Sequence, residues 1–258
     1  MATLWFVGLG LDDERGLSRR ALDVLRRCEL YAEEYTAVAA PGTLERLGAE
    51  LGRPIRRLGR AELEEETALL AALGRSEEVA LVVVGDPFAA TTHVALRLAA
   101  ERAGHAWRYL PNASILVAAA GYLGLSPYRF GRTVSLPFPA PGFEPRSPLE
   151  QVAANRDRDL HTLLLLDLAP DEGRFLDARE ALAILRRRDP EARLLAEEDR
   201  LAVAARVGRD DAAGYVGALC ELREADFGAP PHAIVVPARR LHFEEEAALE
   251  RFRLRPSA

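Results

Sequence analysis

Short, almost wholly apolar segments alternate with amphipathic ones along the whole chain. Apolar segments such as "LWFVGLG" at 4–10 and "VALVVV" at 79–84 have the length of strands. The segment between them that begins "GLSRRALDVLRRCE", at 16–29, places leucine and alanine at helical spacing. Strands that are apolar on both sides must be covered on both faces, as in the mostly parallel sheets of α/β proteins. The sequence therefore predicts an α/β fold with mostly parallel sheets.

The same alternation predicts the strands and helices of the rest of the chain. Further strands are predicted at "LYAEEY", "RPIRRL", "AWRYLP", "RTVSLPF", "HTLLLLDL" and "HAIVVP". Further helices are predicted from Glu62–Glu66 onward, at 93–104, 114–124 and 178–188, and near 243–252, with a proline-rich loop at 137–148. The break near Pro111 predicts two α/β domains, at 1–110 and 111–258.

Composition narrows the function classes. The net charge is −6, and no basic stripe with interleaved aromatic residues occurs, so nucleic acid is not an expected partner. No apolar run approaches the roughly 20 residues that span a bilayer, and the N-terminal segment does not resemble a signal peptide. The chain has only two cysteines, Cys28 and Cys220, which we expect to be reduced, as in a cytoplasmic protein.

All 34 basic residues are arginine, which excludes mechanisms that need a lysine Schiff base or a phosphate-binding lysine. Asparagine occurs only at Asn112 and Asn155, and glutamine only at Gln151. Scarcity of thermolabile side chains fits a hot habitat, whereas a GC-rich genome explains the preference for arginine equally well.

Ligands of open α/β sheets bind beyond the carboxyl ends of the strands. The predicted strand ends are Gly8–Leu11, Gly85–Pro87, Leu166–Asp167, Val207–Gly208 and Val236–Pro237. Gly8 and Gly10 match the start of a dinucleotide-binding motif, but Asp13 occupies its third glycine position and disfavours a pyrophosphate. Gly-Asp-Pro is also good turn chemistry, so Asp86 has both a structural and a ligand-binding interpretation.

The sequence shows no motif typical of a zinc site or of a serine nucleophile. The five histidines show none of the close spacings of zinc sites, and no metal is expected. The chain also lacks the G-x-S-x-G motif of serine hydrolases.

Several longer stretches together resemble the diphthine synthase family, within the tetrapyrrole-methylase superfamily. They include "FVGLGLDDERGLS", "GDPFAATTH", "ASILVAAAGYLGLSPYRFG", "DLHTLLLLDL" and "DFGAPPHAIVVP", and they follow the family's order across nearly the whole chain. Gly-Asp-Pro alone indicates only the superfamily, whereas its combination with "ATTH", "YRFG" and "PPHAIVVP" is typical of the diphthine synthases.

The resemblance implies two α/β domains, with S-adenosyl-L-methionine bound in the interdomain cleft and S-adenosyl-L-homocysteine as its product. It implies an N-methyltransferase that trimethylates the amino group of the 3-amino-3-carboxypropyl-histidine of translation elongation factor 2, giving diphthine in diphthamide biosynthesis. It also implies a cytoplasmic homodimer with elongation factor 2 as protein substrate. The implied cofactor-binding residues are Leu11, Asp86, Ala89, Ser114, Ile115, Leu166, Val207 and His232.

Two alternatives stay open at this stage. A methyltransferase of the same fold could act on a corrin or porphyrin precursor, and a non-catalytic α/β module could merely sense an adenosine ligand. No catalytic residue is assigned, because methylation of an amine mainly requires alignment of the reactants and exclusion of water. Asp86 or His232 could ease proton loss, but a general base is not expected to be obligatory.

Overall fold

The computed structural model describes residues 1–254, apart from the side chain of Asp171. Its strands are β1 Thr3–Gly10, β2 Glu29–Glu33, β3 Arg56–Leu58, β4 Glu78–Val84, β5 Ala106–Leu110, β6 Val134–Leu136, β7 Thr162–Leu166, β8 Leu168–Ala169, β9 Arg174–Phe175, β10 Arg200–Ala205, β11 Ala213–Ala218 and β12 His232–Val236. Its α-helices are α1 Arg19–Leu25, α2 Thr43–Leu51, α3 Arg60–Glu64, α4 Thr67–Leu73, α5 Val94–Arg102, α6 Ile115–Leu123, α7 Ser147–Arg156, α8 Ala178–Arg188, α9 Leu219–Leu222 and α10 Phe243–Glu250. Most strands and helices expected from the alternation are therefore confirmed.

The chain divides into two compact units. The first comprises Met1–Ile115 with Pro170–Glu172, and the second comprises Leu116–Ala169 with the residues from Gly173 onward. The sequence-based boundary between residues 110 and 111 lies five residues before the first division, and as a domain limit it stays a prediction.

The first unit is built on a parallel five-stranded sheet of order β3-β2-β4-β1-β5. Alternate side chains of β1 point to opposite faces, as in any strand. Val7 and Leu9 join a core with α1 and α2, whereas Leu4 and Phe6 join a core with α4 and α5. Helices on both faces explain why the strands are apolar on both sides.

The second unit is built on a five-stranded sheet of order β11-β10-β12-β7-β6. This sheet is mixed: β6 and β7 are parallel, whereas β12 runs antiparallel to both β7 and β10, and β10 antiparallel to β11. The expected mostly parallel arrangement therefore describes the first sheet, and the second is α/β with mixed strand directions. Its core includes α7, α8 and the buried side chains of β7, β10 and β12.

The helix expected from Glu62–Glu66 onward is interrupted. Glu66 adopts a left-handed backbone conformation with φ of 60°, so α3 ends before it and α4 begins after it. Among residues 1–254, no helix is long and apolar enough to cross a membrane.

Candidate functional site

Five of the predicted cofactor-binding residues lie at one edge of the first sheet. Leu11 follows β1, Asp86 and Ala89 follow β4, and Ser114 and Ile115 follow β5. These three strands are neighbours and run parallel, so their carboxyl ends meet at the same edge. All five residues are half-buried, neither packed into the core nor fully in solvent. This edge is where an α/β sheet binds ligands.

Glycines allow the chain segments at this edge to approach one another closely. Gly10 and Gly85 both have positive φ, and their backbones exchange two hydrogen bonds of 3.2 and 2.7 Å. A Cβ on Gly8 would lie 2.7 Å from the Cβ of Asn112 and 2.8 Å from the carbonyl oxygen of Gly85. The Gly8-x-Gly10 pattern is therefore explained by contacts within the protein.

The carboxylate of Asp86 is occupied by hydrogen bonds inside the first unit. Oδ1 accepts from the backbone N–H of Phe88 at 3.0 Å, and Oδ2 accepts from the backbone N–H of Asn112 at 3.2 Å and from the Tyr109 hydroxyl. Burial, and then the bond to Asp86, raise the pKa of Tyr109, so its hydroxyl stays protonated as a donor. Asp86 thus fixes the turn after β4 to the chain after β5.

The side chain of Asn112 bonds to the chain on both sides of Leu11. Its Nδ2 donates to the carbonyl oxygens of Gly8 at 2.9 Å and Gly16 at 3.0 Å. Its Oδ1 accepts from the backbone N–H of Ala113 at 2.8 Å. Asn112 is not among the site residues predicted from the sequence, although the rarity of asparagine in this chain is a usable signal.

His93 anchors the far end of the loop that begins at Gly85. Its ring is 1% exposed, and Nδ1 donates to the carbonyl oxygen of Pro87 at 2.8 Å. Its Nε2 lies 3.7 Å from a carboxylate oxygen of Glu33, which is equally buried. Burial lowers the pKa of His93, and the Glu33 charge opposes that shift. The histidine of "GDPFAATTH" therefore shapes the loop from within.

The other three predicted residues also share one sheet edge, in the second unit. Leu166 ends β7, Val207 lies two residues beyond β10, and His232 begins β12. Because β12 is antiparallel to both neighbours, its first residue lies beside their last ones, and His232 pairs with Ala205. The reversed strand direction also means that Val236–Pro237, a predicted ligand-binding strand end, lies at the opposite edge, so grouping it with the others was wrong.

His232 is buried, and burial favours the uncharged form of its imidazole ring. Its Nδ1 accepts from the backbone N–H of Ala178 at 3.1 Å, at the start of α8. Burial is the main cause that lowers the pKa of His232, and the charge of Arg206 lowers it further. The neutral ring then carries its proton on Nε2. Within the described part of the chain, that nitrogen makes no well-formed hydrogen bond, although the backbone carbonyl groups of Phe227 and Ala229 interact with the ring and oppose the lowering of its pKa.

Arg206 supports the segment that carries His232. It is a buried residue with φ of 51°, and it donates to the carbonyl oxygens of Phe227 and Ala229 at 2.8 and 2.5 Å. Asp211 neutralises its charge at 2.7 Å. This arginine positions the "DFGAPPH" stretch, and it is not among the site residues predicted from the sequence.

No group of three or more histidine, cysteine or acidic side chains capable of holding a metal ion is found among the residues that the structure describes. In the first unit, the sheet edge offers backbone groups beside small residues such as Ala89. In the second unit, the sheet edge offers the buried ring nitrogen Nε2 of His232. Neutral hydrogen-bonding groups of this kind suit a small organic ligand.

Comparisons of sequence and of structure with known proteins indicate related families. The family model for tetrapyrrole (corrin/porphyrin) methylases matches residues 3–223. Diphthine synthases of Methanothermobacter thermautotrophicus and Methanococcus maripaludis strain S2 are 37% and 36% identical, covering 94% and 96% of this chain and 92% and 97% of their own. A crystal structure of diphthine synthase superposes with a TM-score of 0.88 at 35% identity, covering 98% of this chain and 96% of that chain.

Proposed function

This chain belongs to the tetrapyrrole methylase family and is a methyltransferase, and from this premise we propose that it acts as a diphthine synthase. The proposed reaction is trimethylation of the amino group of the 3-amino-3-carboxypropyl-histidine of translation elongation factor 2. The main support is similarity to diphthine synthases at 36–37% identity over nearly the full length of both chains. A role in diphthamide biosynthesis follows from that similarity.

We propose that S-adenosyl-L-methionine is held by the residues at the two sheet edges. The first unit supplies Leu11, Asp86, Ala89, Ser114 and Ile115, and the second supplies Leu166, Val207 and His232. Within the first unit, the contacts that Asp86 already makes favour a role in shaping the loop, with neighbouring backbone groups facing the ligand. Within the second, the unpartnered Nε2 of buried His232 is a donor suited to a polar atom of the cofactor.

When bound, the sulfonium cofactor supplies the methyl group and its own leaving group. The protein's residues then need only bind, orient and exclude water. An α-amino group has a pKa of about 8, so part of it is neutral near pH 7 without a strong base. The Asp86 carboxylate is engaged by three donors, and His232 uses its Nδ1 lone pair on Ala178. Neither group is therefore assigned as a general base.

Elongation factor 2 is the proposed protein substrate, which places the enzyme in the cytoplasm with the translation machinery. We also propose that it forms a homodimer, as the family resemblance implies. Sedimentation equilibrium at micromolar concentration tests this, and a monomer mass would refute the homodimer.

The deciding experiment is mass spectrometry of elongation factor 2 that carries the aminocarboxypropyl histidine, after incubation with this protein and S-adenosyl-L-methionine. The expected result is a gain of three methyl groups on the modified peptide, because the quaternary ammonium has no lone pair for a further transfer. A fourth methyl group would mean that the carboxylate is also a target. Unmodified elongation factor 2 is the control and should gain none.

A parallel incubation with a corrin or porphyrin precursor separates the two alternatives. Methylation of a corrin or porphyrin precursor, with no gain on elongation factor 2, would assign the chain to the tetrapyrrole enzymes. Cofactor binding without methyl transfer to either substrate would favour the sensor and refute the proposal.

A further inference from the structure

Asn112 lies in the loop between β5 and α6, two residues before Ser114. Its side chain is hydrogen-bonded to Gly8 and Gly16, which lie on either side of Leu11 along the chain. Its backbone N–H donates to Asp86. One residue of the segment after β5 is thus bonded to the segments after β1 and β4, and these three segments carry the proposed cofactor contacts of the first unit.

The carboxamide is the chemical group that these contacts require. Two N–H bonds on one nitrogen serve two carbonyl oxygens, at 2.9 and 3.0 Å, while the amide oxygen accepts from Ala113 at 2.8 Å. A carboxylate of the same shape has only acceptors and would repel both carbonyl oxygens. Glutamine is one methylene longer, so its amide nitrogen would be displaced from the position at which the asparagine Nδ2 reaches the carbonyl oxygens of Gly8 and Gly16.

We infer that Asn112 is a positioning residue for the methyl donor, holding the segments after β1, β4 and β5 in their binding arrangement. This inference rests on the proposed function. Asn112 acts through Leu11, Asp86 and Ser114 and needs no contact with the methyl donor itself. Its loss is therefore expected to weaken binding of the donor and to leave the chemical step nearly unchanged.

The test compares Asn112→Asp and Asn112→Ala with the parent and with Asn155→Asp. Asn155 is a matched control, because it is a buried asparagine whose Nδ2 also donates twice, to Arg132 O at 3.0 Å and Thr162 Oγ1 at 2.9 Å. It lies in the second unit, and none of its partners is a proposed cofactor residue. Binding of S-adenosyl-L-homocysteine is measured by calorimetry at a temperature where circular dichroism shows each variant folded.

For both Asn112 variants we expect the dissociation constant and the KM for S-adenosyl-L-methionine to rise at least about tenfold, with kcat within about threefold of the parent. Asn155→Asp should lower the melting temperature but keep the dissociation constant within about twofold. Parent-like binding by the folded alanine variant, or a fall in kcat at unchanged KM, would overturn the inference. A parent protein that neither binds the cofactor nor methylates elongation factor 2 would instead refute the proposed function, so the two failures are distinguishable.

Discussion

For Asp86, the sequence predicts a local turn, whereas the structure also shows hydrogen bonds to residues far along the chain. Gly-Asp-Pro after an apolar run indicates the end of a strand, and β4 ends at Val84. Two of the donors that occupy its carboxylate, on Tyr109 and Asn112, are 23 and 26 residues away along the chain. Local propensity cannot reveal such partners, because they meet only when β4 and β5 join the same sheet.

Replacement of Asp86 by alanine should weaken both folding and cofactor binding. The change leaves the N–H groups of Phe88 and Asn112 and the Tyr109 hydroxyl without their acceptor. We expect a loss of about 1–3 kcal/mol in the free energy of unfolding, measured in urea, and at least about tenfold weaker binding of S-adenosyl-L-homocysteine.

Tyr109→Phe is the control for this prediction, because it removes one donor and keeps the carboxylate with its two backbone partners. Its binding constant should stay within about threefold of the parent. If Asp86→Ala binds S-adenosyl-L-homocysteine as tightly as the parent, Asp86 has no part in the cofactor site.

At the level of elements, alternating apolar and amphipathic segments predicted most strands and helices but not strand direction. The chain enters β12 immediately after "APP", and its residues pair antiparallel with both β7 and β10. Apolar strands read alike in either direction, so the mixed second sheet could not be predicted. That direction places His232 at the edge shared with Leu166 and Val207, a grouping that only the family resemblance had suggested.

The contact between α6 and α10 depends on a glycine. Gly124 follows α6 with φ of 73°, and a Cβ there would lie 2.3 Å from the Cβ of Ala248 in α10. Gly52 follows α2 with φ of 69° and has nothing within 4 Å of such a Cβ. Substitutions at the two glycines therefore distinguish the cost of backbone strain from the cost of a steric clash.

Gly124→Ala is expected to destabilise the protein by about 2–5 kcal/mol, because left-handed strain and a steric clash add together. Gly52→Ala should cost only about 1–2 kcal/mol, from strain alone. Urea unfolding of both variants measures the difference, and equal losses would mean that α6 and α10 do not pack as closely as the structure has them.

Glu245, in α10, is hydrogen-bonded to the chain that follows α6 and to His161, the residue before β7. Its carboxylate accepts from Arg129 at 2.6 Å, from buried His161 at 3.0 Å and from the backbone N–H groups of Ser126 and His242 at 3.0 Å each. Burial opposes ionisation, but these donors outweigh it and lower the pKa of Glu245 from 4.5 to about 2.

A carboxyl group whose pKa is lower in the folded state stabilises the fold above its unfolded pKa and loses that effect as the pH falls. The ionised Glu245 should contribute roughly 3 kcal/mol above pH 4.5, lost progressively between about pH 4.5 and 2. The difference in unfolding free energy between the parent and Glu245→Gln should therefore shrink by more than half from pH 7 to about pH 3. Glu244→Gln, at an exposed carboxylate on the same helix turn, is the control. An equally large Glu245→Gln difference at both pH values would contradict the prediction.

All basic residues of the molecule are arginine, and several of these arginines form linked ion pairs in the structure. Arg46 pairs with Glu14 at 2.7 Å and with Asp13 at 4.0 Å, and Arg186 and Arg223 share Glu197 at 2.5 and 3.3 Å. Isolated surface pairs contribute about 0–1 kcal/mol at 25 °C, whereas linked pairs matter more at high temperature, where the cost of desolvating charge is lower.

Two explanations of this composition predict different melting temperatures. Adaptation to heat, supported by the scarcity of asparagine and glutamine, predicts a melting temperature above about 60 °C that falls when 1 M salt screens the exposed pairs. A GC-rich genome alone explains the arginine content without requiring stability, and it predicts a melting temperature below about 60 °C, as in many mesophilic domains, with little dependence on salt. Calorimetry at low and high salt measures both quantities. A value below about 60 °C would reject adaptation to heat, because ion pairs selected for high temperature must act there.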